Sequence, residues 1–101
     1  MRETKKIRDS AKGRQCTVRL PGCTFDTSTT VYAHLTGIRF GHGIAKKTNL
    51  GAYCDHFCHD VVDGRIPMPS GMEKDDVDLA FYAGVLETTQ LLLEEGLLKY
   101  A

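Results

Sequence analysis

The stretch "YCDHFCHD", residues 53–60, places two cysteines, two histidines and two aspartates within eight positions. Thiolates, imidazoles and carboxylates are the side chains that bind transition metals in proteins. A cluster of this density indicates a metal clamp that holds a small fold together, a catalytic centre, or both at once. The surrounding sequence is needed to choose among the three.

The chain has 101 residues, which predicts a single domain over residues 1–101. A domain of this size buries a modest core and is marginally stable without help. Its 42% apolar and 26% charged residues are typical of a globular protein. No apolar stretch is long enough to span a bilayer, and the charged N-terminus lacks the apolar segment of a signal peptide. We therefore expect no membrane partner and a cytoplasmic location, where cysteines bind metal more often than they form disulfides.

Charge is unevenly distributed although the net charge is zero. Residues 1–50 carry ten Lys and Arg against three Asp and Glu, and residues 51–101 carry three against ten. This asymmetry favours one basic face for a polyanion and one acidic part that points elsewhere. Pairing of the two halves with each other would instead cancel the basic face.

Local patterns predict an α+β fold. The predicted elements are a helix within 3–13, strands over 15–20, 30–35 and 50–53, a basic loop over 36–49, a helix from 54–56 to 62 or 63, a loop over 65–72 and a long helix over 75–95. On the long helix, the apolar side predicted to face the core is marked by Leu79, Val85, Leu86, Leu92 and Leu93.

The four cysteines form two pairs, Cys16/Cys23 and Cys54/Cys58, separated by 30 residues. Two distant pairs can supply the four ligands of a tetrahedral zinc ion if the fold brings them together. Cys54 and Cys58 are four residues apart, so on a helix their side chains would lie one above the other. We therefore predict structural zinc bound by the four cysteines. Four buried free thiols, or a mixed site that uses His34, His56 or His59, are the alternatives.

The order of these residues resembles that of the HNH nucleases, in which a β-hairpin and the following helix surround one metal ion. Here the order is a cysteine pair, strand-end His34, a loop, "NL" at 49–50, and "CDHFCH" at 54–59. The resemblance covers residues 14–64 and implies a ββα-metal core stapled by zinc, with an N-terminal helix and the long C-terminal helix added to it.

A longer resemblance is to the YbcO-like family of lambdoid phages and prophages, whose members are regarded as HNH-type (His-Me finger) endonuclease candidates. It rests on "GRQCTVRLPGC", "YAHLTGIRFGHG" and "CHDVVDGR" and extends to the C-terminal "EEGLLK". It implies a phage or prophage protein that acts in the cytoplasm of a bacterial host.

Carried over residue by residue, the resemblance makes His34 the general base, Asn49 its orienting partner and His59 a ligand of a catalytic cation such as Mg²⁺ or Mn²⁺. Two departures stand out. Ala33 occupies the position before the base, where many HNH sites carry a second metal ligand, and the cysteine spacing is one residue longer than C-x2-C-H. If the helix starts by Cys54, Asp55 shares a face with His59 and can serve as the second ligand of the catalytic cation.

The leading hypothesis is a metal-dependent DNA endonuclease that hydrolyses phosphodiester bonds. The basic loop would contact DNA phosphates without reading sequence, through Arg39, His42, Lys46 and Lys47, with Arg14 and Arg19 nearby. The alternative is a non-catalytic zinc-binding module that binds DNA or a phage protein, as the Ala33 departure favours. A third candidate is an interaction protein in which the C-terminal helix forms a homodimer.

Overall fold

A computed structural model of the chain describes residues 5–34 and 50–98. Within these ranges its elements are α1 (Lys5–Ser10), a short 3-10 helix (Thr27–Thr29), β1 (Val31–His34), β2 (Gly51–Cys54), α2 (His56–Val62) and α3 (Lys74–Glu94). The predicted α+β class, the β1–β2 hairpin and helices α1, α2 and α3 are confirmed. The predicted basic loop, with Arg39, His42, Lys46, Lys47 and Asn49, lies outside the described residues.

The two strands pair antiparallel, with Tyr32 opposite Tyr53, Ala33 opposite Ala52 and His34 opposite Gly51. Because side chains alternate along a strand, the tyrosine pair and the alanine pair lie on opposite faces of the hairpin. A side chain at Gly51 would not fit, since its Cβ would lie 2.6 Å from the Ala33 carbonyl oxygen and 2.7 Å from the Tyr32 ring. The two faces of the hairpin therefore carry different side chains, tyrosines on one and alanines on the other.

Each face of the hairpin has its own buried core. The face with the alanine pair packs against α2, the first part of α3 and the segment around Cys16 to Cys23, and we call its core the thiol core. The opposite face packs against α1 and the end of α3, and we call its core the tyrosine core. The thiol core comprises Cys16, Val18, Leu20, Cys23, Ala33, Ala52, Cys54, Cys58, Val61, Val77, Phe81 and Val85. The tyrosine core comprises Ile7, Ala11, Tyr32, Tyr53, Leu92 and Leu98.

Helix α3 connects the two cores. It begins with a capping box between Glu73 and Asp76, and the chain turns away at Gly96, which has a positive φ of 74°. Its buried side differs from the prediction, because Leu79 and Leu86 are 66% and 73% exposed. The buried side consists of Val77, Phe81, Gly84, Val85, Thr88 and Leu92. Among the described residues, no helix has the length and apolarity needed to cross a membrane.

Thr88 and Gly84 explain why the buried side of α3 is not simply its most apolar side. The Thr88 hydroxyl accepts a hydrogen bond from the Tyr53 N–H at 3.1 Å and is 2.9 Å from the Thr17 hydroxyl. A Cβ at Gly84 would lie 2.8 Å from the Val18 side chain. The helix therefore approaches the backbone of the neighbouring segments closely, which a bulkier residue would prevent.

The predicted strand over residues 15–20 is wrong. Its residues form bends and irregular backbone, and Arg19 has a left-handed φ of 52°. One backbone hydrogen bond, from the Thr17 N–H to the Tyr53 carbonyl at 2.8 Å, ties the segment to β2. The Arg19 N–H instead donates to the Cys16 sulfur at 3.4 Å, and the Cys23 N–H donates to the Leu20 carbonyl at 2.8 Å. The segment turns so that both of its cysteines face the thiol core.

Candidate metal centre and neighbouring histidines

Four side chains converge in the thiol core. The sulfur atoms of Cys16, Cys23 and Cys58 and one carboxylate oxygen of Asp55 all lie within 4.8 Å of one another. A search of the described residues for three or more His, Cys, Asp and Glu side chains with ligand atoms at such distances finds this group. Such a cluster of three thiols and one carboxylate could bind a metal ion, which is consistent with the predicted structural metal.

The group differs from the predicted zinc ligands at one position. Cys54, which is fully buried in β2, was predicted as a ligand but does not belong to the group. Asp55 takes its place in the group. Burial raises the pKa of the Cys54 thiol above its ordinary value, as expected for a cysteine in an apolar core. Cysteines in such surroundings commonly serve as small apolar residues.

Asp55 is held by neighbours on both sides. It is the N-cap of α2, where its Oδ1 accepts the Cys58 N–H at 3.0 Å. Its Oδ2 accepts the Thr24 N–H at 2.9 Å and the Thr24 hydroxyl at 2.6 Å. Burial raises the pKa of Asp55, but the hydrogen bonds from Thr24 and Cys58 outweigh it and leave the pKa below its ordinary value. The buried Asp55 side chain is therefore a carboxylate at neutral pH.

The thiols interact with one another. A hydrogen bond from the Cys58 thiol lowers the pKa of Cys16 to about 6, and the same bond raises the pKa of Cys58. Burial raises the pKa of Cys23 to about 11. The Cys16 sulfur thus accepts a hydrogen bond from the Cys58 thiol. A divalent cation can replace the proton of that thiol, since metal-bound thiols are deprotonated.

His34 is the last residue of β1, on the same face of the hairpin as Tyr32. Its imidazole is half-buried and meets the Tyr32 ring edge-on, with 5.8 Å between ring centroids and an angle of 87°. Ala33, the position before it, is 3% exposed and belongs to the thiol core on the opposite face. No ligand is therefore supplied at the position that departs from the HNH pattern.

His59 lies in the middle of α2 and is half-buried. Its Nε2 is 3.2 Å from Oδ2 of Asp63, one helical turn later. The predicted pairing of Asp55 with His59 on one helical face assumed that the helix starts by Cys54. The helix starts at His56, and among the described residues the group that contains Asp55 includes no histidine. Sequence reasoning missed Asp63 as the partner of His59, although the i, i+4 spacing could have indicated it.

Comparison with known proteins places the chain in a family. The family model described as "Putative nuclease YbcO" matches residues 5–97. The chain belongs to this family. It is 33% identical over 97 residues to "Putative nuclease YbcO" of Escherichia coli strain K12 and equally to "Putative nuclease ybcO" of Enterobacteria phage 82. In both cases the match covers 92% of this chain and 96% of the relative.

A solved structure of similar fold is the "Structure of a putative bacteriophage protein from Escherichia coli str. K-12 substr. MG1655". It superposes with a TM-score of 0.67 at 28% identity, over 90% of this chain and 100% of that one. The YbcO resemblance in the sequence is therefore confirmed, and the family includes a phage member.

This YbcO-family chain also has a polar cleft between α1 and the start of β1. The cavity has a volume of about 530 Å³, and its lining comprises Arg8, Asp9, Lys12, Ser28, Thr29, Thr30, Val31 and Tyr32. Tyr32 is the residue whose ring touches His34. The cleft thus brings two basic residues, one acidic residue and four hydroxyl-bearing residues to the side of the hairpin that carries His34.

Two other basic residues are paired with the acidic helix. The Arg14 guanidinium donates two hydrogen bonds to the Glu95 carboxylate in a bidentate pair, and Arg19 forms the same kind of pair with Glu87. These pairs support the interpretation in which the acidic half of the chain neutralises part of the basic half. They make Arg14 and Arg19 weaker candidates for DNA contact.

Proposed function

We propose that the chain is a metal-dependent DNA endonuclease of the HNH type, with His34 as its general base. The observation that carries the proposal is the position of His34, half-buried at the end of β1 and oriented by the Tyr32 ring in a chain of the YbcO family. An imidazole titrates near neutrality, so it can take a proton from the water that attacks a phosphodiester. Asn49 would fix its tautomer through a hydrogen bond.

His59 would bind the catalytic cation in this proposal. Its Nε2 faces the Asp63 carboxylate, and a carboxylate on one ring nitrogen commonly orients the other nitrogen towards a metal. Nδ1 would therefore be the ligand atom. When bound, Mg²⁺ or Mn²⁺ would neutralise the charge that develops on the phosphate and the leaving oxygen.

DNA would approach along the side of the hairpin that carries His34. Arg8 and Lys12 would contact phosphates from one side. The basic loop, through Arg39, His42, Lys46 and Lys47, would contact them from another. Because these contacts are to phosphates, binding should be insensitive to sequence and should weaken steeply as salt rises.

The test is nicking of supercoiled plasmid with Mg²⁺ or Mn²⁺ by the wild type, His34→Ala and His56→Ala. His56 is an exposed histidine on the same protein and serves as the matched control. Loss of a general base typically costs about 10²–10⁴-fold in rate, so His34→Ala should lose nicking while its melting temperature and bound metal stay unchanged. Wild-type nicking by folded His34→Ala would refute the assignment.

A non-catalytic zinc-binding module is the second candidate, favoured by one observation. Ala33 is buried in the thiol core and supplies no ligand beside His34. A protein of this kind would bind DNA or a phage protein and would nick no plasmid with any divalent cation. Salt-sensitive DNA binding without nicking by the wild type would therefore favour it over the endonuclease.

The homodimer predicted through the C-terminal helix stays a prediction. Leu79, Tyr82 and Leu86 are exposed on α3 at spacings of three and four residues and would form its contact. Sedimentation of the wild type and of Leu86→Glu would test it, because a dimer held by this surface should dissociate in the variant.

A further inference from the structure

The fourth ligand position of the thiol cluster is filled by Asp55, and the geometry of the four side chains suits a tetrahedral ion. A zinc tetrahedron with Zn–S distances of about 2.3 Å has edges of about 3.8 Å between sulfur atoms. The four ligand atoms of Cys16, Cys23, Asp55 and Cys58 lie within 4.8 Å of one another, so the sulfur atoms need to approach one another by about 1 Å at most. All three cysteines and the carboxylate come from a turn and a helix start that are already fixed by hydrogen bonds.

The hydrogen bonds of Asp55 leave room for one metal bond. An ionised carboxylate has about four acceptor positions. Thr24 occupies two of them on Oδ2, through its N–H and its hydroxyl, and the Cys58 N–H occupies one on Oδ1. One acceptor position, on Oδ1, is left for the cation.

Cys54 is next to Asp55 in sequence and lies in the same core, but its sulfur is not among the four ligand atoms that lie close together. It pairs with Val31 across the hairpin and is fully buried within the thiol core. Adjacent residues of an extended chain point in opposite directions, so Cys54 and Asp55 cannot easily present their ligand atoms to the same point. The two residues are therefore alternatives for the fourth position, and the ligand geometry selects Asp55.

We propose that the chain binds one Zn²⁺ through the thiolates of Cys16, Cys23 and Cys58 and one oxygen of Asp55, with Cys54 as a core residue that does not bind it. Zinc suits this set because it accepts thiolate and carboxylate ligands in tetrahedral geometry. Asp55 then has two tasks, as the cap of α2 and as a ligand. The site joins residues 16–24 to the start of α2, and it does so whether or not the chain is a nuclease.

Cobalt substitution counts the thiolates directly. Co²⁺ in a thiolate site gives sulfur-to-metal charge-transfer absorption that grows with the number of bound sulfurs, so wild type and Asp55→Cys should differ in a ratio of three to four. Cys54→Ala should retain the wild-type intensity and one zinc per chain. Cys58→Ala should reduce the intensity and lose zinc under mild chelation.

Asp55→Asn separates the ligand from the cap. Asn is as good an N-cap as Asp, so helix α2 should persist by circular dichroism, whereas zinc affinity should fall by more than the roughly 10–100-fold that an outer hydrogen-bond partner contributes. Four-sulfur absorption in the wild type that falls in Cys54→Ala would overturn the proposal. Absence of zinc in protein purified without chelator, or wild-type zinc affinity in Asp55→Asn, would overturn it as well.

Discussion

The two faces of the β1–β2 hairpin carry cores of different composition. Four cysteines and two alanines are among the twelve buried residues of the thiol core, while the tyrosine core relies on fewer, larger side chains such as Tyr32, Tyr53 and Leu92. Small side chains remove less apolar area from water, and the stabilisation scales with that area. Each residue of the thiol core therefore contributes less through packing on average, and a bound ion that connects distant segments would add most to that face.

Removal of the metal should have the largest effect. Structural zinc contributes about 10–16 kcal/mol of apparent binding free energy in zinc-finger peptides at neutral pH, so a strong chelator should destabilise the thiol core far more than the tyrosine core. Hydrogen exchange measured with and without chelator should show loss of protection at Cys58 and Val61 before Leu92. Equal loss on both faces would show that the two cores depend equally on the ion.

Leu92→Ala should be the largest effect from packing on the tyrosine face. Leu92 is 1% exposed, and truncation of such a residue costs about 2–5 kcal/mol through lost burial and the cavity left behind. The matched control is Leu86→Ala on the same helix, where the side chain is 73% exposed and the change in the stability of the monomer should stay within about 0.5 kcal/mol. Denaturant unfolding measures both, and zinc content should be unchanged in each.

Thr88→Val tests the polar contact where α3 crosses between the faces. The substitution keeps the shape but leaves the Tyr53 N–H without its acceptor, at a cost of about 1–3 kcal/mol. Thr89→Val is the control, because the Thr89 hydroxyl bonds only to the Val85 carbonyl of its own helix among the contacts described. A similar loss in both variants would assign the effect to the replacement of a helical hydroxyl by a methyl group in general rather than to the buried hydrogen bond with Tyr53.

The two Arg–Glu pairs should give the smallest effect. Both are partly exposed, and such pairs contribute about 0.2–1 kcal/mol. Double-mutant cycles should find that the Arg14–Glu95 coupling survives chelation, because Arg14 also lies over the Tyr53 ring of the tyrosine core. The Arg19–Glu87 coupling should disappear, because Arg19 follows the Cys16 turn. Survival of both couplings would indicate that the turn keeps its shape without metal.

The local parts of the fold could be predicted from the sequence. Helix α2 ends before Gly64 and α3 runs over Lys74–Glu94, within one residue of the prediction, because caps, glycines and acidic first turns are local signals. The strand predicted over 15–20 does not form. The apolar residues there belong to a turn that directs Cys16 and Cys23 into the thiol core. Periodicity cannot distinguish that arrangement from a strand.

The candidate metal site could be predicted only in part. Cys16, Cys23 and Cys58 were predicted as zinc ligands, whereas Asp55 was predicted only as a ligand of the catalytic cation, and its position as the N-cap of α2 emerged from the structure. Its spacing of two residues before Cys58 was the available signal, since C-x2-C ligand pairs share it. The burial of Thr88 could not be predicted either, because its hydroxyl accepts a hydrogen bond from the Tyr53 N–H, which is far away in sequence.

Thr17 and Thr88 have a consequence for assembly. Exposed strand edges recruit strands from other chains, which leads to aggregation or to strand addition by a partner. At the centre of β2, however, the Tyr53 N–H donates to Thr88 and the Tyr53 carbonyl accepts from Thr17. Its hydrogen-bonding groups are occupied by the chain itself, so a foreign strand would have to displace both threonines before it could extend the sheet from this side.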